Sequence, residues 1–159
     1  KAMHSHDTSQ FMYKSPYKQL AMMTLVHMLI MYVAMFAMIN RGAYFYNNTN
    51  MLYMAVLMAA PVTLFMVFSM RHMYSNKKLN IAICIAFALL TIGSYYAIRG
   101  QAGVGDKQFL RAMIPHHSGA ILMCREANIA DPEIQSLCKK IIDSQQREID
   151  QMEGILKRL

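Results

Sequence analysis

Three long runs without a charged side chain constrain this chain more than any other feature. They cover residues 19–40, 42–70 and 79–98. Each contains at least the roughly 20 residues that a helix needs to cross about 30 Å of hydrocarbon. Two further runs and no small-residue cleavage site follow the first run, so it is not expected to be a signal peptide. We predict a membrane region over residues 19–98, with helices near Gln19–Ile39, Met51–Met70 and Leu79–Ile98.

The basic residues are placed as in a membrane protein. The whole net charge of +7 falls in residues 1–105, where eight basic residues accompany a single acid, Asp7. Because these charges flank the apolar runs instead of forming a patch, the expected partner is the lipid bilayer and not nucleic acid. Six basic residues lie on the N-terminal side of the spans and four on the opposite side. This bias predicts that the N-terminus lies inside and the C-terminal segment outside.

Residues 106–159 have the pattern of two amphipathic helices joined by a short turn. Apolar residues recur at helical spacing on both sides of Asp131-Pro132-Glu133. That tripeptide is typical of a helix start, because Asp caps the helix, Pro fits its first turn and Glu favours the positive end of the dipole. Helices joined by so few residues pack antiparallel. We therefore predict an all-α fold of three transmembrane helices followed by an antiparallel two-helix hairpin.

A hairpin of two helices buries too little surface to be stable alone. It must therefore dock on a partner membrane protein, on another copy of the chain in a homo-oligomer, or on the membrane spans. These three alternatives differ in what the hairpin would contact, and the sequence leaves them open.

Two cysteines occupy matching positions in the hairpin. Cys124 and Cys138 are equally distant from Asp131, at the predicted turn, and so lie at the same height on adjacent helices. They could form a disulfide if the hairpin is outside the cytoplasm, they could be a thiolate pair for a soft metal, or they could be inert buried thiols. Cys84 falls inside the third span and is expected only to pack there.

Methionine is the chemical signal of the chain. It occurs 17 times, and 14 of these residues lie in residues 1–105. One side of the first span carries a ladder one turn apart, namely Met23, His27, Met31 and Met35. One side of the second carries Met51, Met54, Met58, Met66, Met70 and Met73. Thioether sulfur is a soft ligand that suits copper(I) and silver(I). The alternatives are that the methionines only fill space between helices and that His27 makes an interhelical hydrogen bond.

A second candidate site lies in the hairpin, around Met113, His116 and His117. Neighbouring helical residues point about 100° apart, so one histidine can face the other hairpin helix while its neighbour faces a docking partner. Pro115 frees the carbonyl of Arg111 and is expected to kink the helix. A hydrogen-bonded histidine pair at a kink is the alternative to a metal site. The N-terminal tail, residues 1–18, carries Met3, His4 and His6 and could also capture metal or be merely solvated.

The hairpin resembles domain-of-unknown-function family 305, through Phe109–Met123, Asp131–Ile134 and Gln145–Met152. The resemblance covers residues 106–159 and implies a ferritin-like helical architecture, with copper binding in some periplasmic members. It implies that the shared site lies near Met113, His116, His117, Met123, Glu148 and Met152. This chain differs from the compact members because three membrane spans replace their other helices. The Glu-x-x-His signature of di-iron bundles is absent, so iron oxidation is not expected.

With this resemblance, we expect a protein of the bacterial inner membrane, with a cytoplasmic N-terminus and a periplasmic hairpin. It is expected to bind copper(I) or silver(I) and to sequester or hand on the metal for homeostasis or resistance. A homo-oligomeric metal transporter with a Met-lined pathway is one alternative. An accessory subunit of a larger membrane complex that binds no metal is another. An enzyme is not expected, because the sequence shows no activated nucleophile, no paired carboxylates in an apolar run and no phosphate loop.

Overall fold

The computed structural model of the chain describes residues 16–159, and this part is all-helical and without β-strands. Its five α-helices are α1 (Pro16–Ala34), α2 (Thr49–Ser69), α3 (Lys77–Arg99), α4 (Asp106–Glu126) and α5 (Pro132–Arg158). Short 3₁₀ segments at Met35–Met38, Gly42–Tyr44 and Arg71–Met73 extend or join them. The predicted tail lies outside the described residues, except for residues 16–18, which begin α1.

The first three helices are long and apolar enough to cross a membrane. The candidate spans are Pro16–Met38, Thr49–Ser69 and Lys77–Arg99, within three residues of the predicted bounds. The first is not α-helical throughout, because its last turn tightens into the 3₁₀ segment Met35–Met38, as helix ends often do. Apolar side chains cover the outer surface, and Phe65 and Phe68 are each 70% exposed. A surface of this kind suits hydrocarbon as its surroundings.

Helix α2 lies between α1 and α3 and packs against both. On the α1 side the Thr24 and Thr63 hydroxyls are 3.0 Å apart and share a hydrogen bond. Thr63 is only 1% exposed, so its hydroxyl needs such partners. At the end remote from the hairpin, the Tyr17 hydroxyl donates to Asn80 Oδ1 at 2.8 Å and ties α1 to α3. Cys84 is a free cysteine that packs there against other apolar side chains, as expected.

Helices α4 and α5 form the predicted antiparallel hairpin. Asp131 caps α5, because its Oδ1 accepts hydrogen bonds from the N–H groups of Glu133 and Ile134 at 2.8 and 3.0 Å. The interface between the helices is a core of fully buried isoleucines, Ile114, Ile121 and Ile149. Near the turn, Cys124 and Cys138 are joined in a disulfide, with their Cα atoms 5.2 Å apart. This is the first of the three alternatives for the pair.

The hairpin docks on the spans of its own chain. Tyr44, from the loop after the first span, is 4% exposed and belongs to the core of the hairpin. Ser118 on α4 is fully buried; its hydroxyl donates to Asn40 Oδ1 and accepts from the Asn40 N–H, both at 2.7 Å. Of the three docking alternatives, the structure therefore shows the spans.

Candidate functional site

A proline and an asparagine fix the position of α4 against the start of α2. Pro115 has no N–H, so the carbonyl of Arg111 loses its partner within the helix. The Asn48 amide donates to that carbonyl at 3.3 Å, and Asn48 Oδ1 accepts from the N–H of Met51 at 2.9 Å. Asn48 is 2% exposed and thus both caps α2 and satisfies the freed carbonyl of α4. The junction of spans and hairpin is built around this side chain.

The two histidines of α4 face different surroundings, as the helical spacing predicts. His117 is 7% exposed and lies at the interface with α5. Its Nδ1 is 2.9 Å from the carbonyl oxygen of Met113 and its Nε2 is 2.7 Å from Glu148 Oε2. A carbonyl can only accept, so Nδ1 is the donor to the Met113 carbonyl, and Nε2 lies at hydrogen-bonding distance from the Glu148 carboxylate. Both ring nitrogens are therefore occupied by the hairpin itself.

His116 is exposed on another face of α4, where it lines a cavity between the hairpin and the spans. The cavity has a volume of about 360 Å³. Four methionines line it together with this histidine: Met35, Met51, Met54 and Met113. They come from the end of the first span, the start of the second span and α4. Three elements thus bring four thioethers and one imidazole around a single space.

From the sequence alone, Met51 and Met54 could not be distinguished as ligands from the other methionines of the second span. Both belong to the methionine stripe of the second span, but so do four residues deeper in the membrane or beyond it. The signal that separates them is topology: the end of one span and the start of the next reach the same membrane surface. Met35, Met51 and Met54 are all at that surface, the one on which the hairpin docks.

The structure divides the other candidate residues among different places. Met152 is 9% exposed and belongs to the hairpin core, whereas Met123 is 58% exposed on the hairpin surface. Met23 is 52% exposed on the membrane-facing side of α1. His27 and Met31 are half-buried along α1 and are not among the residues lining the cavity. Only Met35, Met113 and His116 of the predicted set therefore meet there.

Acidic side chains contribute little to this region. Within residues 16–159, there is no group of three or more His, Cys, Asp or Glu side chains that could hold a metal ion. The nearby carboxylate of Glu153 accepts a hydrogen bond from the Tyr46 hydroxyl at 3.1 Å. Burial, this hydrogen bond and the negative charge of Glu153 together raise the pKa of Tyr46 above its ordinary value. No carboxylate lines the cavity, whose walls consist of the four methionines, His116, Ala112 and the side chains of Asn48 and Asn50.

Comparison with known proteins places the C-terminal part in a family. The model of the family described as "Domain of unknown function (DUF305)" matches residues 96–156, so the match begins ten residues before the predicted limit, inside α3. The chain is also similar to "Uncharacterized protein L153" of Acanthamoeba polyphaga mimivirus, with 38% identity over 111 residues. The alignment covers 69% of this chain and 71% of the relative. No solved structure matches the chain.

Proposed function

The chain belongs to the family of the domain of unknown function DUF305, and we propose that it is a membrane-anchored protein that binds copper(I) or silver(I) and holds or passes on the metal. The observation that supports the proposal is the cavity lined by Met35, Met51, Met54, Met113 and His116. The family description itself assigns no function.

The donor set fits a soft monovalent ion. Thioether sulfur binds copper(I) and silver(I) without having to lose a proton, and an imidazole adds a nitrogen ligand of intermediate softness. Hard cations such as Mg²⁺ and Ca²⁺ require carboxylate and carbonyl oxygens, and no carboxylate is among the residues that line this cavity. The residues present therefore favour copper(I) or silver(I) over hard divalent cations.

The rest of α4 orients the proposed site. The hydrogen bond between His117 and the Met113 carbonyl, within α4, holds the imidazole ring, and the contact of that ring with Glu148 on α5 fixes the rotation of α4 about its axis. That rotation directs His116 towards the spans. His117 and Glu148 are accordingly positioning residues in the proposal, whereas His116 is a ligand.

The location of the cavity suits capture of metal from the side of the hairpin. Its ligands come from the ends of the first two spans and from α4, at the membrane surface. A disulfide between Cys124 and Cys138 persists in an oxidising compartment. We therefore propose that the hairpin lies outside the cytoplasm and the N-terminus inside. The bacterial inner membrane expected from the sequence stays a prediction, since the relative described above is viral.

An anaerobic copper(I) competition titration of the full chain in detergent tests the proposal. The informative variant is Met51→Leu/Met54→Leu, which removes two sulfur atoms while keeping the apolar volume of the side chains. We expect it to weaken copper(I) binding by at least about tenfold relative to the parent. Silver(I) does not change oxidation state under these conditions. It should likewise bind the parent more tightly than Met51→Leu/Met54→Leu.

The matched control is Met22→Leu/Met23→Leu, which removes two methionines that are 55% and 52% exposed and are not among those lining the cavity. It should bind copper(I) as tightly as the parent. The proposal fails if the parent binds no copper(I), a result that would favour an accessory membrane subunit. It also fails if the two double variants are equally affected, because binding would then not depend on the cavity.

A further inference from the structure

A second cavity lies on the other side of Asn48, between α1, the start of α2 and α4. It has a volume of about 480 Å³. Its polar residues include Arg111, Gln108 and Asn47, and its apolar residues include Leu29 and Leu52. We propose that this cavity binds the phosphate headgroup of an anionic phospholipid, with Arg111 as the charged ligand.

The charge of Arg111 has no counter-ion among the described residues. Its side chain is half-buried, and no carboxylate there lies within 4.0 Å of it. Its Nε atom is buried without a hydrogen-bond partner in the described part of the chain. The guanidinium that lines the cavity is a planar group with several further N–H donors, and this geometry suits a phosphate. The arrangement therefore indicates an anion in the cavity.

The apolar residues of the cavity show why this anion belongs to a lipid. Leu29 and Leu52 lie on the first and second spans and are 62% and 46% exposed. Arg111 and Gln108 lie on α4, outside the spans. The cavity thus has a polar end at the membrane surface and an apolar end towards the hydrocarbon, the arrangement of a phospholipid.

Native mass spectrometry of the detergent-solubilised full chain tests the proposal. Phosphatidylglycerol and phosphatidylcholine are titrated separately into the parent, Arg111→Gln, Arg111→Lys and Arg99→Gln. Arg99 is the matched control, because it is an exposed arginine at the same membrane surface and does not line the cavity. We expect the parent and Arg99→Gln to bind one phosphatidylglycerol at least about tenfold more tightly than phosphatidylcholine. Arg111→Gln should lose this preference, and Arg111→Lys should retain part of it.

Equal binding of the two lipids by the parent would overturn the proposal, whether or not Arg111→Gln folds. A preference that survives in Arg111→Gln, or that is lost in Arg99→Gln, would overturn it as well. Inorganic phosphate distinguishes the two sources of the anion. If phosphate at millimolar concentration displaces phosphatidylglycerol, the acyl chains add nothing and the lipid is not the ligand. The proposed copper(I) ligands do not include Arg111, so a negative result for the lipid leaves the proposed metal site unaffected.

Discussion

Replacing Asn48 with serine removes the hydrogen bonds that its amide donates to the carbonyls of Arg111, on α4, and Tyr46. Serine can still cap α2, but it cannot reach the Arg111 carbonyl that Pro115 leaves free. An unsatisfied buried carbonyl costs about 1–3 kcal/mol, and because the present bond is long, at 3.3 Å, we expect roughly 1–2 kcal/mol. Asn48→Ala removes the cap too, so it should lower the free energy of unfolding by about 1 kcal/mol more.

The same change in a Pro115→Ala background provides the decisive comparison. Alanine at position 115 restores an N–H, so the carbonyl of Arg111 regains its partner within α4. The carbonyl no longer needs Asn48, and Asn48→Ser should then cost at least about 1 kcal/mol less than in the parent. The bond from Asn48 to the Tyr46 carbonyl is lost in both backgrounds and cancels.

Denaturant unfolding in detergent, followed by circular dichroism, gives the four free energies of this cycle. Asn47→Ala is the matched control, because Asn47 is exposed and accepts a hydrogen bond from Tyr32 on the surface. It should change the free energy of unfolding by no more than about 0.5 kcal/mol. If Asn48→Ser costs the same with proline and with alanine at position 115, the bond to the freed carbonyl does not stabilise the junction.

Two further predictions concern the hairpin. Cys124→Ser should lower its free energy of unfolding by about 3 kcal/mol, because the bond to Cys138 closes a short loop, whereas Cys84→Ser should not. Labelling of both Cys124 and Cys138 without reductant, on protein with an exported hairpin, would contradict this. The pKa of Tyr46 is raised in the folded chain above its ordinary value of about 10. The contribution of Tyr46 to the free energy of unfolding is therefore complete below about pH 10 and is lost as the pH rises through its pKa in the folded chain. Between about pH 9 and about pH 11 the parent should therefore lose more stability than Tyr46→Phe. Thermal melts of the two proteins across this pH range measure the difference, and equal losses would refute the raised pKa of Tyr46.

The spans and the hairpin could be predicted because their signals are local. A charge-free run has the length of a membrane helix wherever it packs, and the Asp131 cap acts on residues directly after it. The proximity of Cys124 and Cys138 also followed from a local rule, since equal distance from a turn puts two residues at the same height, but the rule did not choose between a disulfide, a thiolate pair and buried thiols. These features need no knowledge of what the hairpin contacts.

The junction could not be predicted in the same way, because it depends on residues far apart in the chain. The Ser118–Asn40 contact joins positions 78 residues apart, and the Asn48–Arg111 contact joins positions 63 apart. Which methionines meet His116 depends on this docking, not on the stripes themselves. The sequence could therefore identify methionine and histidine as the candidate chemistry, while the grouping of Met51 and Met54 with Met35 needed the tertiary structure.

The disulfide also limits how two copies of this protein can associate. In helix exchange, the turn between two packed helices opens and one helix crosses to a neighbouring molecule. Here Cys124 and Cys138 bind α4 covalently to α5 on either side of that turn, so the turn cannot extend while the bond is intact. Two oxidised copies therefore cannot exchange α5 through this turn. Dimers interlocked by exchange of α5 would arise only from chains that met before oxidation, so the order of these two events in the cell decides whether they form.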